Sequence, residues 1–443
     1  MRTLFANAHI VSMDDAGTEI PNGWLLVDDG FVEEVGSGNP PPAEAYENVG
    51  GALLTPGLVN THHHLFQTLT RTRAQQADLF TWLKHLYPLW QQIDWDAEYA
   101  AARAGLAELA LSGCSTVFDH HYVFPRGEPG LLEAEIQAAQ ELGVRIVAGR
   151  GSMDLGESQG GLPPDELVEE REHVLAETQR AAELHEPDPG AFVQIAVAPC
   201  SPFSVTKRLM TESAQLARDL GLQLHTHLAE TVEEEEYCQG IFGCRPLEYL
   251  QQLGWLEGDV WCAHCVHLSD ADVARMGEAG TGVAHCPSSN MRLGAGIAPV
   301  REMLDERVRV GIGVDGPASN ERSDLLNETR QALLVARARR GPEAMTAREA
   351  LRLATRGGAE VLRRDDLGSL EPGRCADFAV WRTDALEFGG ADDPVAALVL
   401  SAPHRPDRLY VGGKEVVREG RVVHGDEHEI AAAHRLQAQR FAA

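Results

Sequence analysis

Three adjacent histidines, His62, His63 and His64, follow an apolar run in the segment VNTHHHLFQTLTR. In a β-strand, residues two apart point to the same face. His62 and His64 can therefore chelate one metal ion together, while His63 faces the opposite side. Because a lone His-x-His pair is also compatible with a surface or core position, the interpretation depends on which other donors the chain supplies.

Further donors end other apolar runs of the chain, each of which predicts a buried strand. His227 ends LQLHTH, His264 ends VWCAH and Asp315 ends VRVGIGVD. Three imidazoles and a carboxylate suit a divalent ion such as zinc or iron, with one position left for water. A metal ion bound in this way can lower the pKa of water to about 7 and so make hydroxide available at neutral pH.

These donors need a scaffold that brings strand ends together, and the middle of the chain predicts one. Strand-like apolar segments alternate there with helix-like segments, which predicts parallel βα units. The strand-like segments are GLVNTHHH, STVFDHH, VRIVAGRGS, FVQIAVAPC, LQLHTHLAE, VWCAHCVHL, TGVAHCP and VRVGIGVDG. Eight such units predict an α/β fold of the (β/α)₈ barrel type, in which catalytic residues lie at the C-terminal ends of the strands.

The two ends of the chain have a different pattern, with short strand-like runs and glycine-bearing turns. The segment GGKEVVREGRVV, for example, predicts a strand, a Glu-Gly turn and a second strand. We expect residues 1–55 and 369–443 to form one small β-sandwich domain beside a barrel of residues 56–368.

Composition excludes several classes of partner. The net charge is −29, from 38 basic and 67 acidic residues, which argues against a nucleic acid or an anionic membrane as partner. No apolar run reaches the length of a membrane span, and no signal peptide is visible at the N-terminus. The eight scattered cysteines suit a reducing cytosol. We expect a cytoplasmic homo-oligomer that binds a small molecule.

Five motifs, in this order, resemble those of the amidohydrolase superfamily and in particular its mononuclear deaminase branch: PGLVNTHHH, HTHLAE, CAHCVHL, HCPSSNMRLG and GVDGPASN. The resemblance implies a set of metal ligands, namely His62, His64, His227 and Asp315. It implies one divalent metal ion, zinc by preference and iron as the alternative. Dinuclear relatives carry a carboxylated lysine on the fourth strand, and FVQIAVAPC has no lysine.

The same resemblance implies how protons move. Glu230, three residues after His227, would protonate the ring nitrogen beside the carbon under attack. Asp315 would carry a proton from water to the leaving amine, and His264 would orient that water or contact the substrate. The neighbouring residues Glu233–Glu236 are expected to be solvated, and His285 is expected to shape the wall of the pocket.

Narrower similarities concern the substrate. HHHLFQTLTR, FDHHYVFP and RGSMDLGESQGGLPPD resemble 8-oxoguanine deaminases and triazine hydrolases. Leaving ammonia needs protonation more than leaving chloride does, so the presence of Glu230 and Asp315 favours deamination. This implies conversion of 8-oxoguanine to urate and ammonia, with isocytosine as a smaller substrate. The alternatives are triazine dechlorination or N-dealkylation, and deamination of guanine or of thioether adenosines.

Four side chains are candidates for substrate contacts. The Gln67 amide can both donate and accept, which suits the lactam edge of an oxopurine. Arg71, or alternatively Arg73, could bind an exocyclic oxygen, and Trp82 could stack on the ring. His121 ends the second strand and could reach the pocket, although a structural role is equally compatible with its position.

Overall fold

The computed structural model describes residues 1–442. The chain begins with five strands that precede the barrel, and the first of them pairs with three of the others. These strands are β1 (Thr3–Val11), β2 (Glu19–Asp28), β3 (Phe31–Ser37), β4 (Ala45–Asn48) and β5 (Leu53–Pro56).

Eight parallel strands then close into a barrel, in which each strand pairs with the next and the last pairs with the first. Almost every residue of these strands is buried, as expected for strands covered by side chains inside and helices outside. Each of the eight predicted segments overlaps one of them, and seven contain the whole strand. The barrel strands are β6 (Leu58–Asn60), β7 (Cys114–His121), β8 (Arg145–Ser152), β9 (Val193–Pro199), β10 (Gln223–Leu228), β11 (Val260–His264), β12 (Gly282–His285) and β13 (Arg309–Ile312).

Helices connect the barrel strands and cover their outer faces. Two of the helix-like segments of the sequence, LLEAEIQAAQELG and LMTESAQLARDLG, end as helices where their last glycine adopts a left-handed conformation, at Gly143 (φ 77°) and Gly221 (φ 71°). The helices are α1 (Leu79–Trp90), α2 (Trp95–Ala110), α3 (Leu131–Leu142), α4 (Arg171–Ala181), α5 (Lys207–Leu220), α6 (Val232–Phe242), α7 (Pro246–Gln252), α8 (Asp270–Ala279), α9 (Pro287–Arg292), α10 (Val300–Asp305), α11 (Leu325–Arg340), α12 (Ala347–Arg352), α13 (Gly358–Val361), α14 (Pro394–Leu400) and α15 (Glu427–Ala438). None of the helices in residues 1–442 combines the length and the apolar character needed to cross a membrane.

The last four strands complete the sheet begun by the first five. They are β14 (Phe378–Trp381), β15 (Arg408–Val411), β16 (Lys414–Arg418) and β17 (Arg421–Val422). Strand β14 pairs with β5, which joins the two ends of the chain in one sheet of nine strands. The predicted hairpin is β16 and β17, and its turn residues Glu419 and Gly420 both have positive φ. The fold class predicted from the sequence is therefore confirmed.

A buried ion pair attaches this sheet to the barrel. The guanidinium group of Arg145, on β8, donates to both carboxylate oxygens of Asp377 over 2.8 and 3.0 Å. Both residues are almost fully buried, and Asp377 directly precedes β14. The same carboxylate accepts the backbone N–H of Gly412. The barrel and the sheet therefore share one desolvated, bidentate contact.

Replacing Asp377 with alanine should strongly destabilise the protein, because it leaves a buried guanidinium group without its carboxylate. We expect a loss of about 3–5 kcal/mol in the free energy of unfolding, measured by urea denaturation. The control is Asp384→Ala, which removes the exposed partner of Arg382 and should cost at most about 1 kcal/mol. Equal effects of the two substitutions would contradict a stabilising role for the buried pair.

Candidate metal centre and active site

Four predicted ligands converge at the C-terminal end of the barrel. His62 and His64 follow β6, His227 lies on β10 and Asp315 follows β13. Oδ1 of Asp315 lies 3.4 Å from Nε2 of His62 and 3.4 Å from Nε2 of His64. Nε2 of His64 lies 3.2 Å from Nε2 of His227. The three elements therefore bring three imidazole nitrogens and one carboxylate oxygen to one point.

The spacing of these atoms fits a metal ion. Nitrogen and oxygen ligands about 2.0–2.2 Å from zinc in a tetrahedral shell lie about 3.3–3.6 Å from one another. The three observed separations, 3.2, 3.4 and 3.4 Å, lie within about 0.1 Å of that range. In addition, Nε2 of His62 is buried and has no hydrogen-bond partner. The residues therefore fit a divalent metal ion.

Hydrogen bonds on the far side of each ring leave the inward nitrogens free. Nδ1 of His64 donates to the carbonyl oxygen of His120 over 2.7 Å, and Nδ1 of His227 donates to that of Cys200 over 2.7 Å. With the proton on Nδ1, both Nε2 atoms present lone pairs to each other, so their 3.2 Å contact is not a hydrogen bond. Such donation by the outer nitrogen is the usual orientation of a metal-bound histidine.

Burial keeps these rings neutral, which is the form that binds metal. It lowers the pKa of His64 to about 3 and holds the pKa of His227 well below its ordinary value. Burial alone would raise the pKa of Asp315, but the nearby histidines, His62 first, hold the pKa of that carboxyl well below its ordinary value. The centre therefore offers neutral imidazoles and an ionised carboxylate at neutral pH.

His225 orients His62, a role that was not predicted from the sequence. Nδ1 of His62 lies 3.0 Å from Nε2 of His225, whose own Nδ1 donates to the carbonyl oxygen of Trp261 over 3.0 Å. That second bond makes Nε2 of His225 an acceptor, so Nδ1 of His62 carries the proton and its Nε2 faces the centre. The segment LHTH did contain a signal, because His225 and His227 are two apart on one strand.

His63 points away from the centre, as the alternation of side chains on a strand predicts. Its Nε2 lies 3.2 Å from the hydroxyl of Ser323, and its Nδ1 lies 3.7 Å from Oδ1 of Asp119. Asp119 also accepts the backbone N–H of Leu65 over 2.6 Å. His63 and Asp119 thus belong to the support behind the ligand segment.

Glu230 and His264 lie beside the four ligand atoms. Oε2 of Glu230 is 3.6 Å from Nε2 of His264, which is 4.0 Å from Oδ2 of Asp315. Nδ1 of His264 donates to the side-chain oxygen of Asn290 over 3.0 Å. Burial raises the pKa of Glu230 to about 7, with Asp315 and Glu234 adding to the shift against His264. A carboxyl group in this state can hold or release a proton near neutral pH.

Asp315 is held by two hydroxyl groups and by an uncommon backbone conformation. Its Oδ2 accepts from Ser289 over 2.5 Å and from Ser319 over 3.2 Å. Asp315 and His264 both have positive φ, 63° and 71°, which non-glycine residues adopt rarely. The two hydroxyl groups keep one oxygen occupied and leave Oδ1 to face the histidines.

A small cavity opens onto this group of residues. Its walls combine aromatic and aliphatic side chains with a few polar ones, as in sites for flat heterocycles. The lining residues besides the ligands, Glu230 and His264 are Gln67, Leu79, Trp82, Leu83, Tyr87, Tyr122, Cys200, Ser201, Phe203, Leu293 and Ser319.

Two of the four predicted substrate contacts line this cavity. Oε1 of Gln67 has no hydrogen-bond partner, and it packs against Gly316 so closely that a Cβ at that position would collide with it. Trp82 is fixed by a hydrogen bond from its indole N–H to the carbonyl oxygen of Ala318 over 3.2 Å. Both side chains are therefore held in place at the cavity before any substrate binds.

The other two predicted contacts do not reach the cavity, which corrects the prediction. The Arg71 guanidinium group is paired with both oxygens of Glu108 over 2.8 Å and lies at another surface depression. Arg73, the alternative, donates to the carbonyl oxygen of Phe441. His121 donates from Nε2 to the carbonyl oxygen of Val123 over 2.8 Å and faces helices α2 and α3 instead.

The structure also differs from the expectations for Glu234 and His285. Glu234 is not solvated but fully buried, and its carboxylate accepts the backbone N–H groups of Ala229 and Glu230 over 2.8 and 2.9 Å. It therefore fixes the turn that carries Glu230. His285 is buried but does not line the cavity, and neither of its ring nitrogens has a hydrogen-bond partner.

Comparisons with known proteins agree with this geometry. A family model described as "Amidohydrolase family" matches residues 53–416, which is most of the chain. The chain belongs to the amidohydrolase family. An 8-oxoguanine deaminase of Pseudomonas aeruginosa is 47% identical to this amidohydrolase over 95% of both chains. A hydroxydechloroatrazine ethylaminohydrolase of a Pseudomonas species is 38% identical over 97% of this chain and 94% of the relative.

Solved structures show the same fold. This amidohydrolase superposes on a triazine hydrolase of Arthrobacter aurescens with a TM-score of 0.95 and 33% identity, over 99% of both chains. An atrazine chlorohydrolase of Arthrobacter aurescens, solved in complex with zinc, gives a TM-score of 0.94 at 33% identity, over 98% of this chain and 100% of the other. The resemblance predicted from the five motifs is confirmed, as is the prediction of an amidohydrolase-type hydrolase.

Proposed function

We propose that this amidohydrolase is an aminohydrolase of purine-like heterocycles that converts 8-oxoguanine to urate and ammonia, with isocytosine as a smaller substrate. The observation that carries the proposal is Glu230, a buried carboxyl group that opens into the same cavity as the ligand cluster. The 8-oxoguanine deaminase that is 47% identical over 95% of the chain supports the choice of substrate.

His62, His64, His227 and Asp315 would hold one divalent metal ion at this centre. We favour zinc, because four nitrogen and oxygen donors at tetrahedral spacing suit it and a solved relative contains it. When bound, such an ion supplies an activated water molecule at neutral pH. Iron remains the alternative metal.

The side chains around the ligands then divide the proton transfers between them. Glu230, with a pKa near 7, holds a proton that it can give to the ring nitrogen next to the carbon under attack. Asp315 is ionised and can accept a proton from the attacking water and pass it to the leaving amine. His264, fixed by Asn290, lies within 4.0 Å of both carboxyl groups and can orient the water between them.

The cavity walls suit a flat ring with polar edges. Trp82, Tyr122 and Phe203 offer aromatic faces, and Gln67 offers an amide at the lactam edge of an oxopurine. The free oxygen of the Gln67 amide can accept a ring N–H, and its nitrogen can donate to an exocyclic oxygen. Because a site built to hydrogen-bond a substrate discriminates strongly against analogues that lack the matching group, Gln67 is the strongest candidate for a residue that selects oxopurines.

A substrate panel tests the proposal. The purified enzyme should release ammonia from 8-oxoguanine with the highest kcat/KM among 8-oxoguanine, isocytosine, guanine and a thioether adenosine. The kcat/KM for chloride release from a chlorotriazine should be at least about 10²-fold lower. Glu230 and Asp315 supply protons to a basic amine leaving group, and leaving chloride needs that protonation less. A chlorotriazine that is hydrolysed faster than every aminopurine would reverse this assignment.

A second candidate activity is removal of an alkylamine from a hydroxylated triazine. The relative named hydroxydechloroatrazine ethylaminohydrolase is 38% identical over 97% of the chain. An alkylamine is also a basic leaving group, so Glu230 and Asp315 would serve it in the same way. Ethylamine release from an N-ethyl hydroxytriazine, measured beside ammonia release from 8-oxoguanine, distinguishes the two activities by the larger kcat/KM.

We also propose that the protein is located in the cytoplasm. Its support is the set of eight free cysteines, seven of them buried, which suits a reducing cytoplasm.

A further inference from the structure

A second group of buried titratable side chains lies between the barrel and two of its outer helices. It consists of Glu98 on α2, His121 at the end of β7 and Glu135 on α3. All three side chains are completely buried. The group is separate from the candidate metal centre, and none of its members lines the cavity. We call it the outer cluster.

The donor atoms of the outer cluster face one another. One carboxylate oxygen from each glutamate and one imidazole nitrogen all lie within 4.8 Å of one another. Nδ1 of His121 is 3.7 Å from Oε1 of Glu98. Ligands of one metal ion are separated by distances of this order, so a small inward adjustment of the side chains would complete a coordination shell.

These donors have few partners within the protein. Both carboxylate oxygens of Glu98 and Nδ1 of His121 are buried without a hydrogen bond, and the carboxyl group of Glu135 has only that of Asp119 beside it. Within residues 1–442, no arginine or lysine pairs with either glutamate. Buried polar groups are almost always satisfied, so the atoms that Glu98, His121 and Glu135 turn towards one another need a ligand, protons or water.

The hydrogen bond of His121 decides which way its ring presents its lone pair. Nε2 lies 2.8 Å from the carbonyl oxygen of Val123, so Nε2 carries the proton and donates it. In the neutral ring Nδ1 is then a lone pair, and it faces the two glutamates. A lone pair directed at carboxylates is repelled unless a cation lies between them or a carboxyl group donates its proton, and a backbone carbonyl behind the ring is the usual support of a metal-bound histidine.

The other charged groups around the outer cluster do not neutralise it. Asp119 lies beside Glu135 and adds negative charge, while His63 is next to Asp119 rather than next to the glutamates. Arg150 is committed to Glu169 by two hydrogen bonds. Burial raises the pKa of both Glu98 and Glu135 well above its ordinary value, so without a cation burial favours the protonated form of both groups.

We propose that Glu98, His121 and Glu135 bind a second divalent ion, a first-row transition metal such as zinc or manganese, at a structural site separate from the catalytic centre. Two carboxylates balance its charge, and one imidazole with two carboxylates is a donor set that such ions accept. The ion joins α2, α3 and β7. It also braces the strand end at which His120 accepts the Nδ1–H of His64.

Metal analysis of the purified full chain, produced with zinc and manganese in the medium, tests the site. The wild-type protein should contain two equivalents of metal. Glu98→Gln and Glu135→Gln should each contain one, with a Tm lowered by at least about 2 °C. His62→Ala combined with His64→Ala should lose the other equivalent and keep the one in the outer cluster. A crystal should show anomalous scattering from a metal between Glu98, His121 and Glu135.

Glutamine makes the test decisive, because it imitates a protonated glutamate in shape and in hydrogen bonding. If protons rather than a metal neutralise the outer cluster, the wild-type protein has one equivalent, lost in the His62 and His64 double variant. Glu98→Gln would then leave both metal content and Tm unchanged. Should a glutamine variant fail to fold, anomalous diffraction from the wild-type crystal decides alone, and no peak at the cluster overturns the proposal.

Discussion

Glu230→Gln should lower kcat on 8-oxoguanine at least about 10²-fold while the protein keeps its full metal content. Glutamine retains the shape of the side chain and one hydrogen bond but cannot donate an acidic proton. Positioned general acids contribute about 10²–10⁴ in rate, or roughly 3–5 kcal/mol at the transition state. Substrate affinity should stay within about tenfold of wild type, because the remaining contacts to the ring are intact.

The measurement combines steady-state kinetics, metal analysis and substrate binding to the inactive variant. The matched control is Glu236→Gln, the same substitution at an exposed position six residues further along the chain. It should leave kcat unchanged. If kcat of Glu230→Gln falls less than about fivefold while the metal stays bound, Glu230 is not the proton donor and the proposed deamination mechanism is wrong.

Removing a ligand should have the second large effect. His64→Ala and Asp315→Ala should each lose one equivalent of metal, and kcat/KM should fall at least about 10³-fold, because the metal supplies several kcal/mol of transition-state stabilisation. The physical reason is the spacing of the four donor atoms, 3.2–3.4 Å between neighbours, which a shell with one ligand missing does not reproduce. The metal content and the kcat/KM should fall together in these variants.

The control for this prediction comes from the same histidine triplet. His63→Gln keeps a nitrogen donor for Ser323, since the glutamine amide reaches the position of Nε2. It should therefore keep its metal and most of its activity. Loss of metal from His63→Gln, or full metal content in His64→Ala, would contradict the assignment of ligands to alternate positions of the triplet.

Much of the fold and of the centre could be predicted from the sequence, because the signals concerned are local. Strand segments, the Glu-Gly turn and the two glycine-terminated helices follow from side-chain period and backbone preference over a few residues. The alternation of His62, His63 and His64 follows from the two-residue period of a strand. Strand ends also meet at one rim in any barrel of this kind, so His227 and Asp315 could be placed near them without coordinates.

The errors have a common physical cause. Arg71, His121 and Glu234 lie within a few residues of the centre in sequence, but nearness along the chain does not determine which way a side chain points. The Arg71 guanidinium group is drawn to Glu108 on α2, and His121 turns outward towards Glu98 and Glu135. Glu234 reaches back to cap the turn that carries Glu230.

The sequence alone determined the barrel, the accessory sheet and the residue types that reach the rim, because period and backbone preference act locally. Only the tertiary structure decided three further points: that His225 orients His62, that Gln67 and Trp82 line the cavity, and that the outer cluster exists. Each depends on contacts between elements far apart in the chain, such as β6 with β10 or α2 with α3. The directions of those side chains are set by packing across the barrel wall, which no local pattern encodes.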